Sequence, residues 1–236
     1  MIFALTDEIV FPPPQLASED GLLAIGGDLS EERLLLAYSM GIFPWYSEGD
    51  PILWWSPDPR FILELDELYI SKRLARTVRQ GVFDITCDTA FADVIKACSK
   101  KRPGKDEGTW IVPEMADAYC RLHELGFAHS IECWQQGKLV GGLYGIALGK
   151  IFFGESMFSW EANASKVALA YLVELLRKWD YNLIDCQVES EHLTLLGAKE
   201  ISGVEFRQRL QQYVKINPRQ GTWQAINRND NCSEKR

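Results

Sequence analysis

The chain reads as an α+β protein, with a small amino-terminal α/β domain over residues 1–61 and a larger mixed domain over 62–236. Three observations predict this. The first sixty residues are crowded with turn formers, at Pro12-Pro13-Pro14, Gly26-Gly27-Asp28, Gly49-Asp50-Pro51 and Ser56-Pro57-Asp58-Pro59, and hold one clear helix. Beyond them helical and strand periods mix, and from residue 130 three successive runs repeat with period two. The length of 236 residues suits one domain with a satellite, since domains commonly hold about 100–200 residues.

Ser30 caps the helix of the small domain, Glu31 and Glu32 occupy its positive first turn, and Leu34-Leu35-Leu36 supply its core face before Gly41 ends it. The SPDP turn then marks the domain boundary. RFILEL, from Arg60, predicts a strand, and ISKRLARTVRQ predicts a basic helix stopped at Gly81. FDITCD is a second strand, followed by a helix with Thr89 as its cap; Pro113 opens another helix that runs to Gly126. SIECWQ, KLVGGLYGIAL and KIFFGESMFS, parted by Gln136-Gly137 and Gly149-Lys150, predict a three-stranded antiparallel meander. Over 162–179, Val167, Tyr171, Leu175 and Trp179 recur near helical spacing. NLIDCQVES is the next strand, and the box Ser202-x-x-Glu205 starts a last helix. The polar residues after about Arg219 predict a frayed tail. A meander, a helix and a further strand carrying polar residues is the GNAT-type acyltransferase layout, an analogy of fold that does not by itself give function.

Composition narrows the class. At 47% hydrophobic and 25% charged, the chain is neither disordered nor a coiled coil. Its longest charge-free apolar stretch, Leu139–Gly149, has 11 residues against the roughly 20 a membrane span needs. The start, MIFALTDEIVFPPP, lacks the basic-then-apolar pattern of a signal peptide, and none of the six cysteines forms a C-x-x-C pair, so a reducing cytoplasm is expected. The net charge of −8 is unevenly spread. Residues 1–60 hold ten acids and two bases, whereas 70–105 hold nine bases and three acids. That basic segment is either a phosphate-facing patch or a pair of solvated helix faces.

Two strands carry candidate chemistry. Alternation puts Asp185, Gln187 and Glu189 on one face, and Ile184, Cys186 and Val188 on the other. The segment is then either a half-buried strand with a solvated polar face, or a covered central strand whose carboxylate and amide need partners or a task. In the strand before it, alternation groups Phe153, Glu155 and Met157. A carboxylate between an aromatic and a thioether needs a cation. Either a Lys or Arg of the chain supplies it, or the site takes an amino acid whose ammonium meets Glu155 and whose hydrocarbon meets the walls. Trp45, Trp54, Trp55 and Trp110 lie near turns, where they either pack the small domain or offer stacking surfaces.

Other chemistries find little support. His123, His129 and His192 have no metal-ligand spacing, no G-x-S-x-G elbow or P-loop occurs, and Cys186 reads as a small core residue. In GNAT enzymes a Gly-rich turn after the meander cradles the pyrophosphate of acyl-CoA; here that turn is SWEANASKVAL, with no glycine.

GGDLS at 26–30, GIFPWYSEGDPILWWSPDPR at 41–60, GTWI at 108–111, GGLYGIALGKIFFGESMFS at 141–159, NASK at 163–166, and IDCQV with HL and LGA within 184–198 resemble the bacterial leucyl/phenylalanyl-tRNA–protein transferases. The resemblance runs in order from about residue 20 to about 215. It implies a small domain joined to a GNAT-like catalytic domain, and transfer of Leu or Phe, and less readily Met, from aminoacyl-tRNA to proteins beginning with Arg or Lys. The product carries an N-terminal degradation signal, and neither cofactor nor metal is implied. Carried over by residue, Glu155 holds the donor's α-amino group, and Asp185 and Gln187 stand at the reacting amine. Trp45 and Trp110 lie near the terminal adenosine. Phe153, Met157, Leu143 and Leu172 line the side-chain pocket; well-known members carry Met and Phe at the last two positions. Lys72, Arg73, Arg76 and Arg79 meet the tRNA backbone.

The chemistry suits these residues. An aminoacyl ester is already activated, so holding donor and amine together is the main task, worth up to about 7–11 kcal/mol. A Gln amide is not basic, so Gln187 orients the amine while Asp185 draws its proton or binds the acceptor's basic side chain. Two alternatives stay open: an acyl-CoA-dependent N-acyltransferase, and a tRNA-binding adaptor without turnover.

Overall fold

The computed structural model describes residues 2–100, 111–215 and 221–224. Two sheets organise it. In the small domain, β1 (Phe3–Leu5), β2 (Leu22–Gly26), β3 (Phe43–Pro44) and β4 (Leu53–Trp55) pair in the order β1-β2-β4-β3, with α1 (Glu31–Ser39) between β2 and β3. Ser30 caps α1 by accepting from the Arg33 amide, as its sequence predicts. These strands are too short and too interrupted by turns to show a period.

The large sheet contains β5 (Arg60–Glu64), β6 (Asp84–Cys87), β7 (Ala128–Gln135), β8 (Lys138–Leu148), β9 (Ile151–Ser159), β10 (Leu183–Gln187) and β11 (Lys199–Ile201). Their order is β11-β5-β10-β9-β8-β7-β6. The predicted meander is β7-β8-β9, antiparallel throughout. The crossover helix returns the chain as β10, parallel to β9, so the mixed α/β fold with a GNAT-like domain is present.

Helices cover both faces. α2 (Lys72–Arg79) and α5 (Ala164–Lys178) pack on one face, with Leu74, Leu169, Leu172 and Phe152 in a shared core. α3 (Phe91–Cys98) and α4 (Pro113–Glu124) cover the other, where Phe91, Met115 and Phe153 share a core with Leu34 and Tyr38 of α1. The small domain is thus built onto that second face. α6 (Glu191–Thr194) and α7 (Gly203–Tyr213) complete the described elements, and Ser202 caps α7 through the Glu205 amide.

Two local expectations fail. Thr89 does not cap α3; Ala90 precedes the helix, and the Thr89 hydroxyl donates instead to the buried Glu132 carboxylate at 3.0 Å. Nor does fraying after Arg219 extend through residues 221–224. Trp223 is 1% exposed, and its amide donates to the Asp88 carboxylate at 2.7 Å. A single indole buries enough apolar area to anchor a polar segment, which composition alone does not reveal.

Candidate active site

β9 and β10 hydrogen-bond only from Leu183↔Ile151 to Asp185↔Phe153 and then part. Each strand carries a bulge near that point. On β9, Tyr144 faces Ser156 and Gly145 faces Gly154, which leaves Glu155 as the extra residue. On β10, Asp185 faces Ile62 and Gln187 faces Phe61, which leaves Cys186 as the extra residue. Bulges re-aim side chains, and these two interrupt the alternation on which the site was predicted.

A cavity of about 260 Å³ opens where the strands part. Glu155 and Gln187 line it together with Met157, Leu143 and Leu172, and Trp45 of the small domain stands at its wall. Trp45 is 41% exposed and tilts against Trp55 at 5.6 Å. Its neighbour Phe43 also lines the cavity, so both domains build it.

Phe153 is a correction. It is fully buried on the opposite face, edge-on to Tyr38 at 5.2 Å, and Phe152 takes the place expected for it at the cavity. Because Glu155 is the bulge residue, its side chain and that of Phe153 cease to share a strand face in the simple period-two sense.

Asp185 is the larger correction. Its carboxylate is fully buried and does not line the cavity. Arg60 Nε donates to Oδ1 at 2.8 Å and Nη2 to Oδ2 at 2.7 Å, a two-pronged ion pair sealed from solvent. The guanidinium lies over the rings of Phe43 at 5.0 Å and Phe206 at 4.6 Å. Asp185 Oδ1 also accepts the amide of Gln187 at 3.0 Å. Gln187 has φ +61°, a left-handed conformation uncommon for a residue with a Cβ, and this turns its side chain into the cavity. The face carrying Ile184, Cys186 and Val188, read as the one away from the chemistry, is a cavity wall. Burial pushes the Cys186 thiol well above its usual range, so it is inert there.

Among the described residues no such cation bonds to Glu155. Oε1 accepts from the Tyr38 hydroxyl at 2.7 Å and from the Gln187 amide nitrogen at 3.2 Å; Oε2 accepts from the Tyr119 hydroxyl at 2.8 Å. Desolvation raises its pKa to about 7 despite the phenol hydrogen bonds, which act to lower it. Burial likewise raises both phenols well above their ordinary range, so each keeps its proton. The two hydroxyl oxygens are themselves 2.6 Å apart. With Glu155 ionised, two phenolic protons serve three oxygen contacts. A neutral Glu155 adds the third and closes the ring, which fits a carboxyl that titrates near neutrality. Tyr38, Tyr119 and Arg60 are the site residues that sequence reasoning missed. A buried Asp185 demands a cation, and that demand could have been applied to Arg60 at the end of the SPDPR run; nothing in the sequence signals the two tyrosines.

Lys72, Arg73, Arg76 and Arg79 are carried on α2, with Leu74 turned inward and Ser71 as cap; all four basic residues are exposed. Trp110 lies outside the described residues. Among the described residues no group of three or more His, Cys, Asp or Glu is placed to hold a metal, and no helix is long and apolar enough to cross a membrane.

Comparison with known proteins follows the same lines. Residues 62–211 match the family model of leucyl/phenylalanyl-tRNA protein transferase, and residues 27–58 match that of its N-terminal domain. A leucyl/phenylalanyl-tRNA–protein transferase of Syntrophobacter fumaroxidans is 60% identical over 205 residues, 87% of this chain and 88% of its own. One of Anaeromyxobacter is 57% identical over 223 residues, 94% of each chain. Among solved structures, a conserved protein of unknown function from Staphylococcus epidermidis is 12% identical, with a TM-score of 0.39 over 77% of this chain and 68% of its own.

Proposed function

The chain belongs to the leucyl/phenylalanyl-tRNA–protein transferases, an aminoacyltransferase family, and from that premise we propose that the cavity between β9 and β10 holds the aminoacyl end of the donor tRNA. One observation carries this reading: a half-buried carboxylate that, among the described residues, accepts only from neutral donors ends a mostly apolar cavity about the size of one side chain and its backbone. The donor's α-ammonium supplies the missing charge at Glu155, and its Leu or Phe side chain fills the walls of Leu143, Met157 and Leu172. Met, unbranched and flexible, fills them less well. Trp45 faces the terminal adenosine, as Trp110 does in the resemblance.

In the reaction the acceptor's amine nitrogen bonds to the ester carbonyl carbon, and the bond from that carbon to the ribose oxygen breaks. The proton lost by the amine ends on the ribose oxygen, so no net acid or base is consumed. An α-amine titrates near 7.7–8.0, which leaves a usable neutral fraction at pH 7. Gln187 donates to Glu155 through Nε2 and keeps its carbonyl free to accept from the acceptor's amine. Asp185, spent on Arg60, acts by holding Gln187 in its left-handed turn and not by touching substrate. Acceptors beginning with Arg or Lys suit a protein of net charge −8, and the product then bears Leu or Phe as a degradation signal. Charged tRNA and fresh protein amino termini meet in the cytoplasm.

The bases of α2 suit the tRNA backbone. Changing Lys72, Arg73, Arg76 and Arg79 to Ala should flatten the salt dependence of tRNA binding by roughly 0.7–0.9 in slope for each phosphate no longer neutralised. Turnover of a minimal aminoacyl-adenosine donor should persist, and an unchanged slope would remove the patch from the proposal.

The direct test combines purified protein, Leu-tRNA and an Arg-starting peptide without metal or nucleotide, read by mass. A peptide heavier by one Leu residue is expected. Binding of tRNA without product would favour an adaptor, and product only with an acyl-CoA would favour the other alternative.

A further inference from the structure

Residues 221–224 do not line the donor cavity, yet they reach it from behind. Trp223 stacks on His129 at 3.9 Å with the rings 5° from parallel, and meets Trp179 edge-on at 5.0 Å. Its third aromatic neighbour is Phe152, 6.0 Å away, whose ring lines the donor cavity.

Both residues are held firmly. Asp88, 2% exposed, accepts the Trp223 amide on the same carboxylate that accepts the Ser130 amide and lies 2.9 Å from His129 Nδ1. Gln224 Nε2 donates to the Asp88 carbonyl at 2.7 Å, so backbone and carboxylate of one residue grip the segment. Phe152 in turn has little freedom on its other side. A Cβ placed on Gly145 would stand 2.6 Å from the Phe152 ring and 2.1 Å from the Phe153 carbonyl oxygen. The ring is therefore clamped between the bare backbone of β8 and the indole of Trp223.

We propose that Trp223, gripped by Asp88, is a positioning residue that sets donor specificity by fixing Phe152 as a cavity wall. The inference rests on the reading of that cavity as the donor side-chain pocket. A dense interior makes the consequence specific. With the indole gone, Phe152 can swing outward, the cavity deepens, and larger aminoacyl side chains gain relative to Leu. Hydrophobic pockets discriminate about 10–200-fold per methylene, so a wall displaced by part of a ring should be visible in donor choice.

The test is full-length Trp223→Ala with Leu-, Phe- and Met-adenosine donors and one Arg-starting peptide, measuring kcat/KM for each donor and KM for the peptide. The expected result is a Phe:Leu ratio about 10-fold above wild type, an unchanged peptide KM, and a smaller shift in the same direction for Trp223→Phe. A role confined to stability would lower all donors by one factor, and that outcome overturns the proposal. If Trp223→Ala does not fold, Trp223→Phe and Asp88→Asn must still move the ratio, and an unmoved ratio in both overturns it as well. Failure of wild type to use either Leu or Phe would instead overturn the reading of the cavity, a distinguishable result.

Discussion

Two carboxylates lie on neighbouring strands of this site, and the protein treats them in opposite ways. Asp185 is sealed from solvent with a guanidinium on both oxygens. Among the described residues Glu155 accepts from neutral donors only, two phenols and an amide, and burial lifts it to about 7. The difference separates framework from reception. A carboxylate with an internal cation is spent, whereas one supplied only with neutral hydrogen bonds is satisfied well enough to fold and still short of a positive charge. In the proposed function an α-ammonium brought by the donor meets that shortage, and the bulge on each strand is what turns the two groups apart.

Breaking the framework side should have the largest effect. Arg60→Ala leaves Asp185 buried without its cation, which costs about 3–5 kcal/mol of stability, readable by chemical denaturation. Replacing the pair together, Arg60→Met with Asp185→Leu, should restore most of that stability, because apolar residues of similar volume can occupy a buried ion-pair site. Turnover should not return with it. The double variant has lost the oxygen that accepts the Gln187 amide, and with it the hold on the left-handed turn. Restored stability with restored turnover would show that the pair is scaffold alone.

Breaking the receiving side should cost less stability and more donor affinity. Glu155→Gln keeps the shape but removes the charge, so kcat/KM for the donor should fall roughly 10- to 150-fold, the equivalent of about 1.5–3 kcal/mol for a charge-assisted hydrogen bond. The acceptor's KM should stay near wild type. Stability should move the other way. The folded-state pKa of Glu155 is raised to about 7 from 4.5, so the folded protein holds a proton that the unfolded chain releases between those values. Wild type therefore loses stability as pH rises through that window, and Glu155→Gln escapes the loss. Its melting temperature should exceed wild type at pH 8 and converge on it near pH 4.5. A gap that does not change with pH would mean that Glu155 is not the group titrating.

How much of this was legible in the sequence differs between the same two sides. Glu155 was found because an acid between Phe153 and Met157 in an apolar strand asks for a cation. Gln187 was found on the neighbouring strand, although the alternation that grouped it with Asp185 breaks at Cys186. Bulges are invisible to a period of two, which is why Phe153 and Phe152 exchange places and Asp185 faces away from the cavity. Tyr38 and Tyr119 come from helices 81 residues apart in sequence, and no local pattern joins them. The helices of eight residues or more, the meander and the crossover were legible because each is long enough to repeat its period, whereas the four-residue α6 was not. The two- to five-residue strands of the small domain were not.

The smallest effect should sharpen the comparison most. Tyr38→Phe keeps the ring against Phe153 and removes one hydroxyl from Glu155, leaving Tyr119 in place. Two influences on Glu155 are lost together. The phenol's donation to the ionised carboxylate lowers its pKa, while the closed ring of three protons favours the neutral acid. A hydrogen bond to a charged oxygen is roughly twice as strong as one between neutral groups, so losing the donation should prevail and the pKa should rise further. Ammonium binding needs the ionised form. Donor KM in wild type should therefore climb as pH falls below about 7, and in Tyr38→Phe the climb should begin at a higher pH. At pH 8.5 the two proteins should nearly match, and at pH 6.5 the variant's KM should be several-fold the higher. A profile displaced to lower pH would show that ring closure outweighs donation, and that the tyrosines hold Glu155 neutral until the donor arrives. Coincident profiles would remove Tyr38 from control of the charge and leave it to burial, Tyr119 and the nearby charges of Asp185 and Arg60.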